Sequence, residues 1–341
     1  MRVLLTGATG NVGSALTAAL LDDPAVAEVV GVVDRLPDAS LAPWSGVSWH
    51  RVDLSDPAYL PALVEAARGC DVAIHLAWKL QPSRDVALLR RVNLGGLTLL
   101  VRALVQAGVP HLVHTSSVGA YSPGPKDRRV AESWPTGGIS SSLYSRQKAA
   151  AERFLDDVEA SGAPLGITRV RPAIVVQRAA GAEVARYFGG PLLPRWVVGR
   201  VRPPVLPLPR RLISQAVHAG DLAEAFRLAA HARPGGALNV ADEPVLGPDE
   251  LAQALGARGS VPVPAGAVRA LVDLTWSLHL QPTDAGWVDM GLWTPLMDTG
   301  RVVSELGWSP RHRSDDAVAE FVGGMGDVAG LAGSPPLRPG R

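Results

Sequence analysis

The chain has 341 residues, of which 47% are hydrophobic and 19% charged, with a formal net charge of +1. That length buries a full core with room for a smaller second region, while the near-zero charge leaves no field to hold nucleic acid or an anionic membrane. A single cysteine, Cys70, excludes an internal disulfide framework, and no run reaches the ~18 apolar residues of a membrane span.

In chain order, Val3-Leu4-Leu5 reads as a buried strand that stops at Thr6-Gly7. The run is too short for the core of an export leader, so the cytoplasm is the expected compartment. Residues 12–21 carry apolar side chains at helical spacing. Val29-Val30-Gly31-Val32-Val33 is the second strand and residues 47–52 a third. A helix is expected over 56–68, a strand over 72–76, a long helix over 85–107 and a strand over 111–115. Residues 141–161 read as a helix and 166–170 as another strand. These strands are apolar on both sides and alternate with helices, which predicts an α/β fold with a doubly wound parallel sheet. Cys70 sits in the Arg68-Gly69-Cys70-Asp71 turn and reads as a packed thiol.

After Pro172 the pattern loosens, and residues 189–211 are rich in Pro, Gly and Arg. Helices are expected over 221–231, 248–255, 265–280, 299–306 and 315–323, with a late strand at Leu238-Asn239-Val240. The end of the chain, from Gly330, is Gly/Pro-rich and reads as disordered.

Thr6-Gly7-Ala8-Thr9-Gly10-Asn11-Val12-Gly13 follows a strand and opens a helix. Glycine at Gly7 and Gly10 lets the backbone turn tightly and approach a phosphate. The helix end offers unpaired N–H groups and a partial positive charge to a pyrophosphate. Gly13 allows close packing of helix on strand. Asp34, at the end of the second strand, is placed to bind both ribose hydroxyls of an adenosine and repel a 2′-phosphate, which favours NAD. Arg35 follows at once and is able to grip a 2′-phosphate instead, so NADP stays open. The alternatives are a plain strand–helix turn and a capping carboxylate.

Tyr144-Ser145-Arg146-Gln147-Lys148 puts a phenol and an ammonium four residues apart, on one helix face. A tyrosine, with a free pKa of ~10, needs help to exchange protons near neutrality. A neighbouring lysine, with a positive nicotinamide ring, supplies it. Surface helices produce this pattern by chance, so its weight comes from the glycine loop ahead of it. His114-Thr115-Ser116-Ser117 closes the preceding strand and offers three hydroxyls where open α/β sheets place their chemistry.

Together these residues resemble the extended short-chain dehydrogenase/reductase family, in its NAD-dependent epimerase/dehydratase branch. The likeness runs over roughly residues 1–325. Thr6 to Gly13 is similar to the family's glycine motif and Asp34 to its acidic ribose residue. Asp53-Leu54 resembles its adenine-contacting pair, and His75-Leu76-Ala77 its fourth-strand motif beside the cofactor. Asn93-Leu94-Gly95-Gly96 resembles its helix asparagine. Residues 115–121 resemble its serine motif, which singles out Ser117 as the catalytic hydroxyl beside Tyr144 and Lys148. Arg171-Pro172 resembles the segment lining the nicotinamide. His218-Ala219-Gly220-Asp221, Asn239-Val240-Ala241 and Leu306-Gly307-Trp308-Ser309-Pro310 resemble later family segments. Trp78 stands where alanine is common, Gly220 replaces a frequent aspartate, Ser122 a glycine, and the loop lacks the usual Gly-Gly-x-Gly-Phe-Ile-Gly wording. These departures weaken the likeness to sugar-nucleotide epimerases without touching Ser117, Tyr144 and Lys148.

The resemblance implies a Rossmann-type domain over 1–175, to which 212–244 returns. It also implies a smaller substrate-binding region over 176–211 and 245–328, and leaves 329–341 as the disordered tail. The implied cofactor is NAD, held by Gly7, Gly10, Asn11, Val12, Gly13, Asp34, Arg35, Asp53, Leu54, Leu76, Ala77, Asn93, Tyr144, Lys148 and Pro172. The implied reaction is hydride transfer at a secondary alcohol or ketone carbon of a small molecule, with a homodimer as the family's assembly. A redox-sensing protein that binds the nucleotide without turnover is the second reading. Eight scattered histidines and one thiol show no metal-ligand spacing, so no metal is expected. Trp276, Trp287, Trp293 and Trp308 read as core or lid packing, with stacking on an aromatic or sugar ligand as the alternative. Arg195, Arg200, Arg202, Arg210 and Arg211 read as a solvated loop or an anion contact.

Overall fold

The computed structural model of the chain describes residues 1–81, 84–189 and 203–339. The expected arginines at 195, 200 and 202 lie outside these residues. The first half alternates β1 (Arg2–Thr6), α1 (Asn11–Leu21), β2 (Glu28–Val33), β3 (Val47–Arg51), α2 (Leu60–Ala67), β4 (Val72–His75), α3 (Val86–Arg90), α4 (Gly96–Ala107) and β5 (His111–Thr115). Then come β6 (Arg129–Val130), α5 (Leu143–Ala160), β7 (Gly166–Pro172), β8 (Ile174–Val176) and α6 (Gly181–Val184). Beyond residue 202 follow β9 (Leu206–Leu208), β10 (Ala216–His218), α7 (Ala219–Ala232), β11 (Gly236–Val240), α8 (Pro248–Ala254) and β12 (Ser260–Pro262). The chain continues with α9 (Ala265–Ser277), α10 (Gly286–Trp293), β13 (Leu296–Met297), α11 (Gly300–Leu306) and α12 (Ser314–Gly326).

Seven strands form one parallel sheet in the order β11-β7-β5-β4-β1-β2-β3. Both faces are covered, which is why β1, β4 and β5 are buried at nearly every position. On one face Leu16 and Leu20 of α1 meet Leu222 and Phe226 of α7. On the other, Leu63 of α2 joins Leu97, Leu100 and Leu104 of α4 and Leu155 of α5. Strand order runs one way from β1 and the other way from β4. A crevice therefore opens beyond their carboxyl ends, the switch point where doubly wound sheets bind ligands.

The loop after β1 sits in that crevice. Gly7 has φ of +73°, and a Cβ on it would lie 2.7 Å from the Ala77 nitrogen and 2.8 Å from the Leu76 carbonyl carbon. Only glycine allows both the left-handed turn and that approach to the end of β4. The helix expected over 85–107 is continuous in direction but not in winding. A π-helical turn spans Arg91–Gly95, between α3 and α4. Asn93, within it, accepts from the Lys79 amide at 2.7 Å and donates to the Lys79 carbonyl at 2.9 Å and to Gln147 Oε1 at 2.7 Å. That side chain ties the loop after β4 to α5. No helix among the described residues is long and apolar enough to cross a membrane.

Within the segment expected to be a disordered tail, the described residues up to 339 are instead packed. Leu337 is fully buried, and the Trp44 indole donates to the Ala332 carbonyl at 3.0 Å. Ser334 donates to the Thr9 carbonyl at 2.8 Å, and the Gly333 carbonyl accepts from the Asp38 amide at 3.0 Å. A Gly/Pro-rich composition reads as disorder, but here its few apolar side chains find a wall beside the glycine loop.

Candidate active site

The dinucleotide end of the crevice is assembled from loop and helix. Gly10 caps α1 without a side chain, and the first turn holds no acidic residue. The positive end of the helix and its unpaired N–H groups are thus left for an outside anion. Leu76 donates its amide to the Thr6 carbonyl at 3.1 Å, and the Ala77 amide reaches Thr6 Oγ1 at 3.3 Å, holding β4 beside the loop. Asp34 and Arg35 stand exposed at the end of β2. Arg35 is close enough to Glu183 and Tyr187 to influence both. Asp53 Oδ1 accepts from the Ser55 amide and hydroxyl at 2.8 and 2.7 Å, a turn contact, while Leu54 packs under Gly96. Asn11 turns its side chain to β8, donating to the Val175 carbonyl at 3.2 Å and accepting from Gln177 at 3.0 Å. The crevice therefore fits a dinucleotide through backbone and helix end, with a glycine cradle that a Cβ would fill.

The three hydroxyls after β5 have separate partners. Thr115 Oγ1 is buried with no protein partner. Ser116 donates to Glu152 of α5. Ser117 accepts from the Gly119 amide at 2.9 Å and hydrogen-bonds Tyr144. Only Ser117 faces the phenol. On α5, Lys148 lies one turn beyond Tyr144 and is 2% exposed. Its Nζ donates to the Thr115 carbonyl at 2.8 Å and sits 3.5 Å from the centre of the Trp78 ring and 5.9 Å from that of Tyr144. The structure thus brings Ser117, Tyr144 and Lys148 together, with Asn93 behind them.

The electrostatics of this trio differ from the expectation. Burial pushes the Tyr144 phenol up to about 12, and the Ser117 hydrogen bond only partly opposes it. Burial also pushes Lys148 down to about 7, against the pull of Glu152. Apolar walls decide both groups and favour their neutral forms. His75 and His114 underlie the lysine; burial is the main cause that lowers both, His75 to about 3 and His114 well below its ordinary value. His75 shares a 2.7 Å hydrogen bond with Thr6, and its ring stacks on His114 at 5.4 Å.

A buried ion pair fixes the turn that carries Ser117. Glu152 accepts from Arg171 Nε and Nη2 at 2.8 and 2.9 Å and lies 3.3 Å from Arg169 Nε. Burial pushes its carboxyl up, but Arg171 and Arg169 outweigh this and hold it below the usual range. Arg171 also donates to the Tyr121 hydroxyl at 3.0 Å, which donates to Asn239 at 2.7 Å. This explains the Arg171-Pro172 and Asn239 motifs as a scaffold behind the site.

Two further groups lie in the cleft, Trp287, read from sequence as core or lid packing, and Met290, which the sequence did not mark. Trp287 of α10 stacks on Tyr144, and Met290 follows it onto the same side. Trp308, by contrast, is core, with its indole donating to the Asp221 carbonyl at 2.8 Å. Elsewhere, the ligand atoms of His218, Asp221 and His312 lie within 4.8 Å of one another, a grouping that sequence spacing hides. Asp221 there accepts from the Arg311 amide at 2.9 Å, the His312 amide at 2.9 Å and His312 Nδ1 at 2.8 Å, so it clamps the loop before α12.

A family model described as the NAD dependent epimerase/dehydratase family matches residues 3–241. An uncharacterized protein of Mycobacterium tuberculosis is 26% identical over 341 residues, covering 95% of this chain and 84% of its own. The UDP-glucose 4-epimerase of Streptomyces lividans is 27% identical over 245 residues, 69% of this chain and 73% of that one. Among solved structures, the UDP-glucose 4-epimerase of Thermus thermophilus in complex with NAD is similar in fold, with a TM-score of 0.69 at 24% identity. It covers 95% of this chain and 99% of its own.

Proposed function

The chain belongs to the NAD-dependent epimerase/dehydratase family, and from that premise we propose that it transfers a hydride at a secondary alcohol or ketone carbon of a small molecule, with Tyr144 as acid and base. One observation carries the reading: the Tyr144 phenol is hydrogen-bonded to Ser117, with the Lys148 ammonium one helical turn away. NAD, when bound, supplies the hydride acceptor or donor. Gly7, Gly10, Val12 and Gly13 would take its pyrophosphate, Asp34 its adenosine ribose, and Asp53 and Leu54 its adenine. Leu76, Ala77, Asn93 and Pro172 would flank the nicotinamide end.

Ser117 then holds the substrate oxygen while Tyr144 gives or takes its proton. A phenol at about 12 keeps its proton at neutral pH and is ready to donate it. A cation beside it lowers that value and readies it to accept. Lys148, lowered to about 7, would take that part in its protonated form. Net epimerisation or dehydration follows where the dinucleotide is retained, and net dehydrogenation where it is released. Pairing of two chains through α4 and α5 is the accompanying expectation, checked by sedimentation.

The test is Tyr144→Phe. Turnover is expected to fall by roughly 10²–10⁴ while NAD affinity, read by calorimetry, stays within a few-fold. Equal turnover in the two proteins would reject Tyr144 as the acid/base.

A further inference from the structure

A carbonyl that reaches the Ser117 and Tyr144 hydroxyls lies among three apolar walls. Trp287 stacks on the Tyr144 ring, with centroids 5.2 Å apart and 29° between the planes. Trp78 meets the same ring edge-on at 6.4 Å. Met290 brings its methyl to the same place: a Cβ on Gly119 would sit 3.1 Å from Met290 Cε, 3.0 Å from Tyr144 Cε1 and 3.3 Å from Ser117 Oγ.

Ring hydroxyls set against the Trp287 face and the Met290 methyl would lose water without gaining partners there; the unpartnered polar atoms beside the site include Trp78 Nε1 and Thr115 Oγ1. A flat apolar group gains from burial and from stacking. Among the described residues, three cations beside α10 are already engaged. Arg269 pairs with Asp289 at 3.1 Å. Arg211 donates to the Leu292 and Gly124 carbonyls at 2.9 and 3.0 Å and lies over Trp293. Lys126 is buried and donates to the Ile213 and Gly291 carbonyls at 2.6 and 3.0 Å. Each would have to give up these bonds to meet a diphosphate.

Resting on the hydride-transfer reading above, we propose that the substrate is a ketone or secondary alcohol bearing an aryl or similarly flat apolar group, and that Trp287, Trp78 and Met290 set this preference. In the reducing direction the ketone takes a hydride from NADH at carbon and the Tyr144 proton at oxygen. The products are the secondary alcohol and NAD⁺, and solvent returns a proton to Tyr144.

The experiment follows NADH consumption by the full chain with benzylacetone and with acetone, and follows UDP-glucose conversion in parallel. Benzylacetone is expected to exceed acetone in kcat/KM by roughly tenfold or more, mostly through KM. Trp287→Ala should lower that ratio by about tenfold, with a smaller loss for acetone, and Trp287→Phe should restore most of it. Circular dichroism and melting of each variant separate this effect from misfolding. Silence of benzylacetone, with or without conversion of UDP-glucose, overturns the substrate class. So does a ratio that a folded Trp287→Ala protein leaves unchanged. The reading beneath fails separately, when Tyr144→Phe works as fast as the wild type on whichever probe is turned over.

Discussion

Arg171→Leu should destabilise the protein by about 3–5 kcal/mol, although the residue lies behind the cleft. Glu152 is 1% exposed and takes two short charged hydrogen bonds from Arg171. Each such bond is worth about 1.5–3 kcal/mol, and removing the donor leaves a buried carboxylate. Arg169 remains at 3.3 Å, but it is already shared with Asp156 and Glu159, so it moderates the loss rather than cancelling it. The expected value therefore lies near the lower end, about 3 kcal/mol. Urea unfolding followed by tryptophan fluorescence measures it. Glu152→Leu alone should cost a similar amount, and the double variant less than the sum, because it leaves no unpaired charge. The pH dependence has a definite sign. In the wild type the Glu152 carboxyl is held low, so its contribution is present above the unfolded value of about 4.3 and lost as pH falls through the lower folded value. In Arg171→Leu, burial prevails and raises the carboxyl, so the deficit is largest near neutrality and shrinks on acidification. A loss under about 1 kcal/mol, or strict additivity of the two changes, would refute the argument.

Gly7→Ala forces a Cβ into the Ala77 backbone at φ of +73°; it should cost about 2 kcal/mol or more and weaken NAD binding, both read by calorimetry. Deleting residues 330–341 uncovers Trp44 and removes fully buried Leu337, worth about 1.5–3 kcal/mol by burial alone. The truncated protein should melt earlier and lose affinity for NAD, and an unchanged melt would contradict the packing. Lys148→Met should stabilise the protein below pH about 7, where the wild type keeps a buried ammonium. That gain should fade as pH rises from about 7 towards the ordinary lysine value of 10.5, a trend that denaturation midpoints across pH would show.

Much of this architecture is legible in the sequence because it rests on short-range rules. β1, β2, β4 and β5 are strands of four to six residues built around short apolar runs, which doubly covered parallel strands require. The glycine loop and the Tyr144–Lys148 spacing come from local geometry alone. What escaped reading depends on distant partners. The π turn at Arg91–Gly95 exists because Asn93 reaches both Lys79 and Gln147, and helical periodicity carries no trace of that. β6 and β13 are two residues long and exist only by pairing with each other. Trp287 and Met290 lie on an eight-residue helix whose side chains show no strong apolar face in sequence. Their place over Tyr144 follows from how α10 docks. The proton affinities of Tyr144 and Lys148 likewise follow from burial, which spacing cannot give.

The contact between Ser334 and Thr9 joins positions 325 residues apart. During synthesis, β1 and its glycine loop leave the ribosome well before Ser334 and its neighbours, so the wall beside them is made late. A nascent chain therefore carries a glycine loop without that wall while all the intervening sequence is translated, and a product terminated before Ser334 would lack it.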